Sequence, residues 1–257
     1  MNLQLDGKAA LVCGASQGLG LAIGEALAEE GCRIGLLARN AGKLAAHAER
    51  LNARGHRVMA LAADMGDWPS VEAALAQFGP PAILVTNTGG PPPADATVID
   101  PGLWRRQFEG MVLNQMRLVT AVLPSMRAAK FGRVINIAST SVTEPFSTLP
   151  LSGSLRAALV NWLKLVATEV AHDCITVNSI LPGSIATDRI TKLNAVEAGK
   201  RGVSEQQLVD EQSAAIPMGR FGTPEEFAAV AAFLASPRAS YVTGQMTRID
   251  GGATRSV

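Results

Sequence analysis

A chain of 257 residues, 47% of them hydrophobic, is long enough to bury a substantial core and predicts a single domain. Its net charge of +1 excludes the broad basic surface that binding to nucleic acid or to an anionic membrane requires. The three cysteines are far apart and form no ligand spacing with the three histidines, which predicts a reduced, cytoplasmic protein without a metal site. No apolar run approaches the ~20 residues of a membrane span. A small molecule or a cofactor is the expected partner.

Short apolar runs rich in β-branched residues alternate along the chain with longer stretches of helical periodicity. This alternation is typical of βαβ units and a parallel sheet. The segment 184–218 interrupts it with polar and charged residues, which predicts either a substrate lid or a solvated helical excursion. Strands are predicted at 9–13, 33–38, 58–62, 82–86, 133–138, 175–181 and 246–249, and helices at 18–30, 41–53, 70–77, 101–130, 154–171 and 224–235.

A glycine-rich turn joins the first predicted strand to the first predicted helix, in the sequence CGASQGLG. Its glycines permit a tight turn and close approach of the backbone to a phosphate, and the helix that follows offers free N–H groups. An ordinary strand-to-helix turn is the alternative interpretation, but the strand before and the helix after favour a dinucleotide site. The predicted cofactor contacts in this turn are Gly14, Ser16, Gln17, Gly18, Leu19 and Gly20.

The end of the second predicted strand indicates which dinucleotide binds. NAD-specific folds place an acidic residue there, against the ribose 2′-hydroxyl. This chain reads Leu-Ala-Arg39-Asn instead. Since a guanidinium can bind a phosphate through two hydrogen bonds, Arg39 predicts a preference for NADP(H) over NAD(H). The alternative is a solvated loop arginine.

Several further motifs occur in a fixed order along nearly the whole chain. Asp64 and Met65 follow the third predicted strand, and TNTG, with Asn87 and Gly89, follows the fourth. Nearer the C-terminus stand PGSIAT, RFGTPEE, YVTGQ and IDGG. Together with the glycine-rich turn, these motifs resemble those of the short-chain dehydrogenase/reductase family, in particular its bacterial β-ketoacyl-acyl carrier protein reductases. The resemblance implies a Rossmann-type α/β fold, a doubly wound, seven-stranded parallel sheet with helices on both faces. It also implies cofactor contacts from Asp64, Met65, Asn87, Gly89, Pro182, Gly183, Ile185 and Thr187.

The catalytic positions of that family are only partly preserved. The resemblance implies a serine that polarises the carbonyl, here Ser139, with Ser141 as a rival. The family's proton-donating tyrosine, thirteen residues later, is replaced by Ser152, and its lysine, four residues further, by Arg156. The flanking RAAL matches the family's Lys-Ala-Ala-Leu, and the single tyrosine, Tyr241, falls in the C-terminal motif.

The fourth catalytic position of the family is an asparagine in the long fourth helix. Met111 occupies that position, and Asn114 lies one helical turn further on. The family's role is not transferred to Asn114. Three of the four catalytic positions therefore depart from the family's pattern.

These replacements affect proton transfer more than cofactor binding. A serine hydroxyl is a poor acid at pH 7, and Arg156, with a pKa above ~12 in water, can bond ribose hydroxyls but cannot release a proton. Loss of a general acid typically lowers the rate by ~10²–10⁴. Water, an acidic group of the substrate, or Glu144 are the alternative proton sources. Ser152 also has a purely structural interpretation, since it or Ser154 can cap the following helix.

Two functions follow from the residues. The first is an NADP-dependent oxidoreductase that acts on a small-molecule carbonyl or alcohol, with Ser139, Ser152 and Arg156 as its altered catalytic set. The second is a dinucleotide-binding protein without turnover, either a sensor or a non-catalytic subunit. The resemblance also implies a homodimer or homotetramer, built through contacts of the fourth and fifth predicted helices.

Overall fold

The computed structural model describes residues 2–256, which form one seven-stranded parallel sheet with helices on both faces. The strands are β1 (Ala9–Cys13), β2 (Arg33–Ala38), β3 (Arg57–Ala62), β4 (Ile83–Thr86), β5 (Gly132–Ile137), β6 (Ile175–Pro182) and β7 (Met246–Ile249). Their spatial order is β3-β2-β1-β4-β5-β6-β7. The predicted doubly wound sheet is confirmed, and its strands lie within two residues of their predicted limits.

Nine α-helices cover the sheet within the described range. They are α1 (Gly18–Glu29), α2 (Ala41–Asn52), α3 (Trp68–Phe78), α4 (Pro101–Phe108), α5 (Asn114–Ala129), α6 (Pro150–Val170), α7 (Asp188–Arg201), α8 (Glu205–Ala214) and α9 (Pro224–Ala235). Two large apolar clusters fill the space on the two faces of the sheet. Among residues 2–256, no helix is both long and apolar enough to cross a membrane.

The strand order reverses between β1 and β4: the strands that follow β1 lie on one side of this pair, and those that follow β4 lie on the other. Open α/β sheets bind ligands at this switch point, outside the carboxyl ends of the strands. The glycine-rich turn, Asn87, Ser139 and Pro182 all follow or end strands at this edge. The fold therefore brings together the motifs that the sequence separates by more than 160 residues.

Two helix predictions need correction. The single helix predicted at 101–130 is interrupted by a π-helical segment, Glu109–Leu113, so that α4 and α5 are separate. The helix predicted to begin at 154 begins at Pro150 instead, because proline fits the first turn, where its missing N–H is not needed. Ser152 therefore lies within the first turn, and neither it nor Ser154 is the N-cap residue, which is Leu149. The capping interpretation is wrong.

The segment 184–218 contains two helices, α7 and α8, whose surfaces are largely exposed. It begins directly after β6, at the edge where the candidate site lies. Thr187 caps α7 by accepting a hydrogen bond from the Ile190 amide, and its methyl group lies against Gly18 of the glycine-rich turn. The start of the segment is thus fixed beside the dinucleotide turn.

Candidate active site

The glycine-rich turn between β1 and α1 has no room for side chains at two of its glycines. Gly14 adopts a φ of 61°, and a Cβ there would lie 2.5 Å from the Asn87 side-chain nitrogen. A Cβ at Gly20 would lie 2.5 Å from the Gly14 carbonyl oxygen. Both contacts are shorter than any real carbon contact, so only glycine permits this turn. The residues Ser16, Gln17 and Leu19 are half-buried and lie at the N-terminus of α1, as a pyrophosphate site requires.

A basic patch lies where β2 leads into α2, at the carboxyl edge of the sheet. Arg39 is exposed directly after β2, and Lys43 extends from the first turn of α2 to donate a 2.8 Å hydrogen bond to Gln17. Neither makes an ion pair with a carboxylate within residues 2–256. The sequence interpretation missed Lys43, although a lysine four residues beyond Arg39 in an acid-free first turn was a usable signal.

The remaining cofactor candidates line the same edge. Asp64 is exposed after β3, and its carboxylate accepts a hydrogen bond from the Gly66 amide, which leaves its second oxygen free. Gly183 is packed closely, since a Cβ there would lie 2.6 Å from Asp250 Cβ. The other members of the set, which follow β3, β4 and β6 at this edge, are Met65, Asn87, Gly89, Pro182, Ile185 and Thr187.

Ser139 stands at the end of β5 and is held by its neighbour. The Ser141 amide and hydroxyl both donate to Ser139 Oγ, at 3.1 Å and 2.9 Å. A hydroxyl accepts two hydrogen bonds and donates one. The Ser139 hydroxyl hydrogen is therefore free for a ligand, and Ser141 acts as its support.

Arg156 extends from α6 to the carboxyl ends of β4 and β5. Its Nε donates to Ser152 Oγ at 3.3 Å, Nη1 to the Ile137 carbonyl at 2.7 Å and Nη2 to the Thr88 carbonyl at 3.4 Å. These contacts use three of its five N–H donors. Burial, and secondarily the charge of Arg189, lowers the pKa of Arg156 to about 10, so it remains a cation at neutral pH.

Ser152 is buried beside this guanidinium, with 6% of its surface exposed. Its oxygen accepts the hydrogen bond from Arg156, so its own hydrogen remains available. The next residue, Gly153, lies beside Ser141: a Cβ there would be 3.6 Å from Ser141 Oγ. The structure thus brings Ser139, Ser152 and Arg156 into one cluster, although twelve residues separate the two serines.

Three other candidate residues do not join this cluster. Asn114 is fully buried and donates to the Met65 carbonyl, 2.8 Å away. Glu144 is exposed and makes no side-chain hydrogen bond within the described range. Tyr241 is fully exposed in the turn that precedes β7, at the amino edge of the sheet. No phenol is therefore within reach of Ser139.

Apolar residues continue the cleft beyond the serines. Met111, in the π-helical segment, is buried against Leu151 and Leu155, which flank Ser152 in α6. Beside them lies a groove of about 280 Å³. Its larger apolar lining residues are Val98, Ile99, Leu103, Trp104, Pro150 and Leu151.

Within residues 2–256, no group of three or more histidine, cysteine, aspartate or glutamate side chains is placed to hold a metal ion. The Cys13 thiol, at the end of β1, is buried, and this burial raises its pKa to about 12. It is therefore a neutral packing group rather than a nucleophile. The polar side-chain groups described in this cleft are mainly hydroxyl and guanidinium groups.

Known proteins resemble the chain over its full length. The family model described as "Enoyl-(Acyl carrier protein) reductase" matches residues 14–254. The NADPH-dependent reductase BacG of Bacillus subtilis is 32% identical over 97% of this chain and 99% of its own. The 3-oxoacyl-[acyl-carrier-protein] reductase FabG of Vibrio harveyi is 34% identical over 97% and 98%.

A solved structure agrees with these relatives in fold. L-Sorbose reductase from Gluconobacter frateurii, complexed with NADPH and L-sorbose, superposes with a TM-score of 0.94 at 33% identity and covers 100% of both chains. The match extends from the glycine-rich turn through the serines to the last strand. The chain is thus an enzyme of the oxidoreductase class and belongs to the short-chain dehydrogenase/reductase family.

Proposed function

We propose that the protein is an NADP-dependent carbonyl reductase with an altered catalytic set. One observation carries this proposal. Ser139 Oγ accepts both of its hydrogen bonds from Ser141, and Ser152 Oγ accepts one from Arg156, so both serines have a hydroxyl hydrogen left to donate. Two such donors at the carboxyl edge of the sheet suit a carbonyl oxygen that gains negative charge during reduction.

The cofactor half supports NADP(H). The tight turn at Gly14 and Gly20 admits a pyrophosphate, and Arg39 with Lys43 suits a 2′-phosphate. Arg156 retains two N–H donors with which to hold the nicotinamide ribose. NADPH, when bound, supplies the hydride. BacG is described as NADPH-dependent and the sorbose reductase was solved with NADPH, which supports the same preference here.

The proton must come from a group other than a phenol. Ser152 bonds the substrate oxygen or an ordered water, and the nearby Arg156 cation stabilises negative charge that develops on that oxygen. The oxygen finally takes its proton from water, which leaves hydroxide to be neutralised by the solvent. Because serine and arginine are both poor acids at pH 7, this transfer is the slow step, with a rate ~10²–10⁴ below that of a tyrosine-containing site.

The substrate is a small ketone or the corresponding alcohol, whose apolar part lies in the groove beside Leu151. The protein acts in the cytoplasm as a homodimer or homotetramer. Two features support the assembly: Leu165 on α6 is 61% exposed, and a shallow, mainly apolar depression lies between Trp68 of α3 and Ala121 of α5.

The test combines cofactor binding with turnover. Nicotinamide fluorescence should show that NADPH binds more tightly than NADH, and a panel of ketones, diketones and 3-oxoacyl thioesters should include compounds that oxidise NADPH. Binding without turnover of any compound would contradict the reductase and favour the non-catalytic dinucleotide-binding protein. If neither cofactor binds, both functions are wrong.

A further inference from the structure

A second arginine reaches the candidate site from the lid. Arg189 lies in the first turn of α7 and crosses to the loop that follows β4. Its Nη1 donates to the Gly90 carbonyl at 3.1 Å and its Nη2 to the Pro91 carbonyl at 3.4 Å. Arg156 contacts the same loop at Thr88, only two residues earlier. Two guanidinium groups therefore donate to carbonyls of one short segment.

The loop is shaped to admit this contact. A Cβ at Gly90 would lie 2.5 Å from Arg189 Nη2 and 3.0 Å from its guanidinium carbon. Any side chain at residue 90 would therefore displace the guanidinium. Glycine at this position allows the Arg189 side chain to lie directly on the backbone at the mouth of the cleft.

No acidic group neutralises either cation. Within residues 2–256, Arg156 and Arg189 make no ion pair, and all their hydrogen bonds go to backbone carbonyls or to Ser152. Burial lowers the pKa of Arg189, and the charge of Arg189 contributes to lowering the pKa of Arg156. The two charges thus repel each other across a partly desolvated space.

A further polar group in the same segment lacks a partner. Thr88 Oγ1 is buried and makes no hydrogen bond within the described residues. Arg189 retains three N–H donors beyond the two that hold the loop. A half-buried and an exposed guanidinium, both with free N–H donors, lie at one loop beside a buried hydroxyl that has no partner within the described residues. These are the features of an anion site, because an anion would relieve the repulsion and bind the free donors.

We infer that the substrate carries a negatively charged group, most simply a carboxylate, which binds Arg189 at the lid while its carbonyl lies at Ser139 and Ser152. The inference rests on the proposed function and narrows it to oxo acids. With Arg156 directed at the nicotinamide ribose, Arg189 is the main charge partner and the residue that determines specificity. An acyl thioester without an acid group near the carbonyl is then a poorer substrate than an oxo acid of similar size.

The test compares an acid with its neutral ester. Levulinate and methyl levulinate are titrated by calorimetry into protein saturated with NADP⁺, which cannot reduce them. A charge-assisted contact predicts that levulinate binds ~10–100-fold more tightly than the ester. This titration measures binding and needs no turnover. The proposed reduction is tested separately, by mixing the same ketones with NADPH and following its oxidation.

Two substitutions separate charge from position. Arg189→Met should abolish the preference for the acid, and Gly90→Ala should reduce it severalfold although the charge is kept, because the new methyl group displaces the guanidinium. Arg201→Met is the matched control: it removes an arginine from the last turn of the same helix, where Arg201 pairs with Glu211, and should leave the preference intact.

Three results would overturn the inference. The first is equal binding, or no detectable binding, of levulinate and its ester to the wild-type protein. The second is a loss of NADP⁺ affinity in Arg189→Met as large as the loss for levulinate, which would assign Arg189 to the cofactor. The third is the same loss of preference in Arg201→Met, which would indicate a general effect of lid charge.

Discussion

The two halves of the cleft differ in what forms them, backbone in one and side chains in the other. The half formed by β1, β2 and α1 holds its backbone so tightly that glycine is required at Gly14 and Gly20. The half formed by β5, α6 and α7 is built from side chains, and the proposed alignment puts Ser152 and Arg156 there in place of the family's tyrosine and lysine. The conformation of the glycine-rich turn is set by its backbone, whereas the chemistry of the second half is set by its side chains. Side chains of the second half can therefore differ from the family's pattern while the glycine-rich turn of the first half keeps it.

The largest expected effect comes from restoring the family's side chains in the second half. Ser152→Tyr combined with Arg156→Lys should raise kcat for ketone reduction by ~10²–10⁴, because a phenol beside a cation is a competent acid near neutral pH. Both substitutions are made together, because the side chains of Ser152 and Arg156 are hydrogen-bonded to each other. The measurement is NADPH oxidation at saturating cofactor.

The control for this gain is Ser154→Tyr with Arg156→Lys. Ser154 lies on the exposed face of the same helix, so its tyrosine cannot reach the cleft. An equal gain in this control, or no gain in the restored variant while NADPH still binds, would contradict the placement of the proton donor at Ser152.

Removal of Ser139 tests the other donor of the second half. Ser139→Ala should lower kcat/KM by ~10²–10³, the usual effect of losing one donor to a developing oxyanion, while the Kd of NADPH stays unchanged. Ser141→Ala should have a smaller effect, because Ser141 acts only by orienting Ser139. Steady-state kinetics on both variants provide the measurement. A larger loss of kcat/KM in Ser141→Ala than in Ser139→Ala would mean that Ser141 bonds the substrate and Ser139 orients it.

The prediction for the first half concerns the basic patch formed by Arg39 and Lys43. The double substitution Arg39→Ala with Lys43→Ala should weaken the binding of NADPH by ~100-fold, because two charge-assisted hydrogen bonds to the 2′-phosphate are lost. The binding of NADH should be unchanged. Fluorescence titration of both cofactors provides the measurement. Arg54→Ala, which removes an arginine paired with Glu29 at the far end of α2, is the matched control. If the binding of NADH weakened to the same extent, these side chains would not act through the 2′-phosphate.

The smallest effect is a pH dependence that links the two halves through Arg156. Its pKa is lowered to about 10 by burial and by the charge of Arg189, so the cation is complete at neutral pH and is lost as pH rises through that value. The affinity for NADPH should therefore be flat between about pH 6 and 9 and fall above about 10.

In Arg156→Met, NADPH affinity should already be reduced at neutral pH, and the fall above about pH 10 should be absent. Fluorescence titration at each pH, with the fold followed by circular dichroism, separates this step from alkaline unfolding. A fall of the same size in the variant would mean that another group causes the pH dependence.

Much of the fold was predictable because strands and helices leave local patterns. All seven strands follow from short β-branched runs, and most helices from their apolar periodicity. The two errors have different causes. The break between α4 and α5 is a π-helical segment whose Met111 packs against α6, and it has no distinct local signature in a window that otherwise looks helical. The early start of α6 follows from Pro150, a local helix-start signal that the prediction did not use.

The sequence by itself predicted the cofactor framework and the altered catalytic set. Glycine spacing, an arginine after β2 and the presence of only one tyrosine are properties of order and composition, which need no coordinates. The tertiary structure alone decided what the replacing side chains contact. Arg156 meets Ser152, Ile137 and Thr88, and Arg189 meets Gly90 across 99 residues of chain. Such contacts depend on the path of the folded backbone, because residues far apart in sequence become neighbours only when the sheet brings its strand ends to one edge.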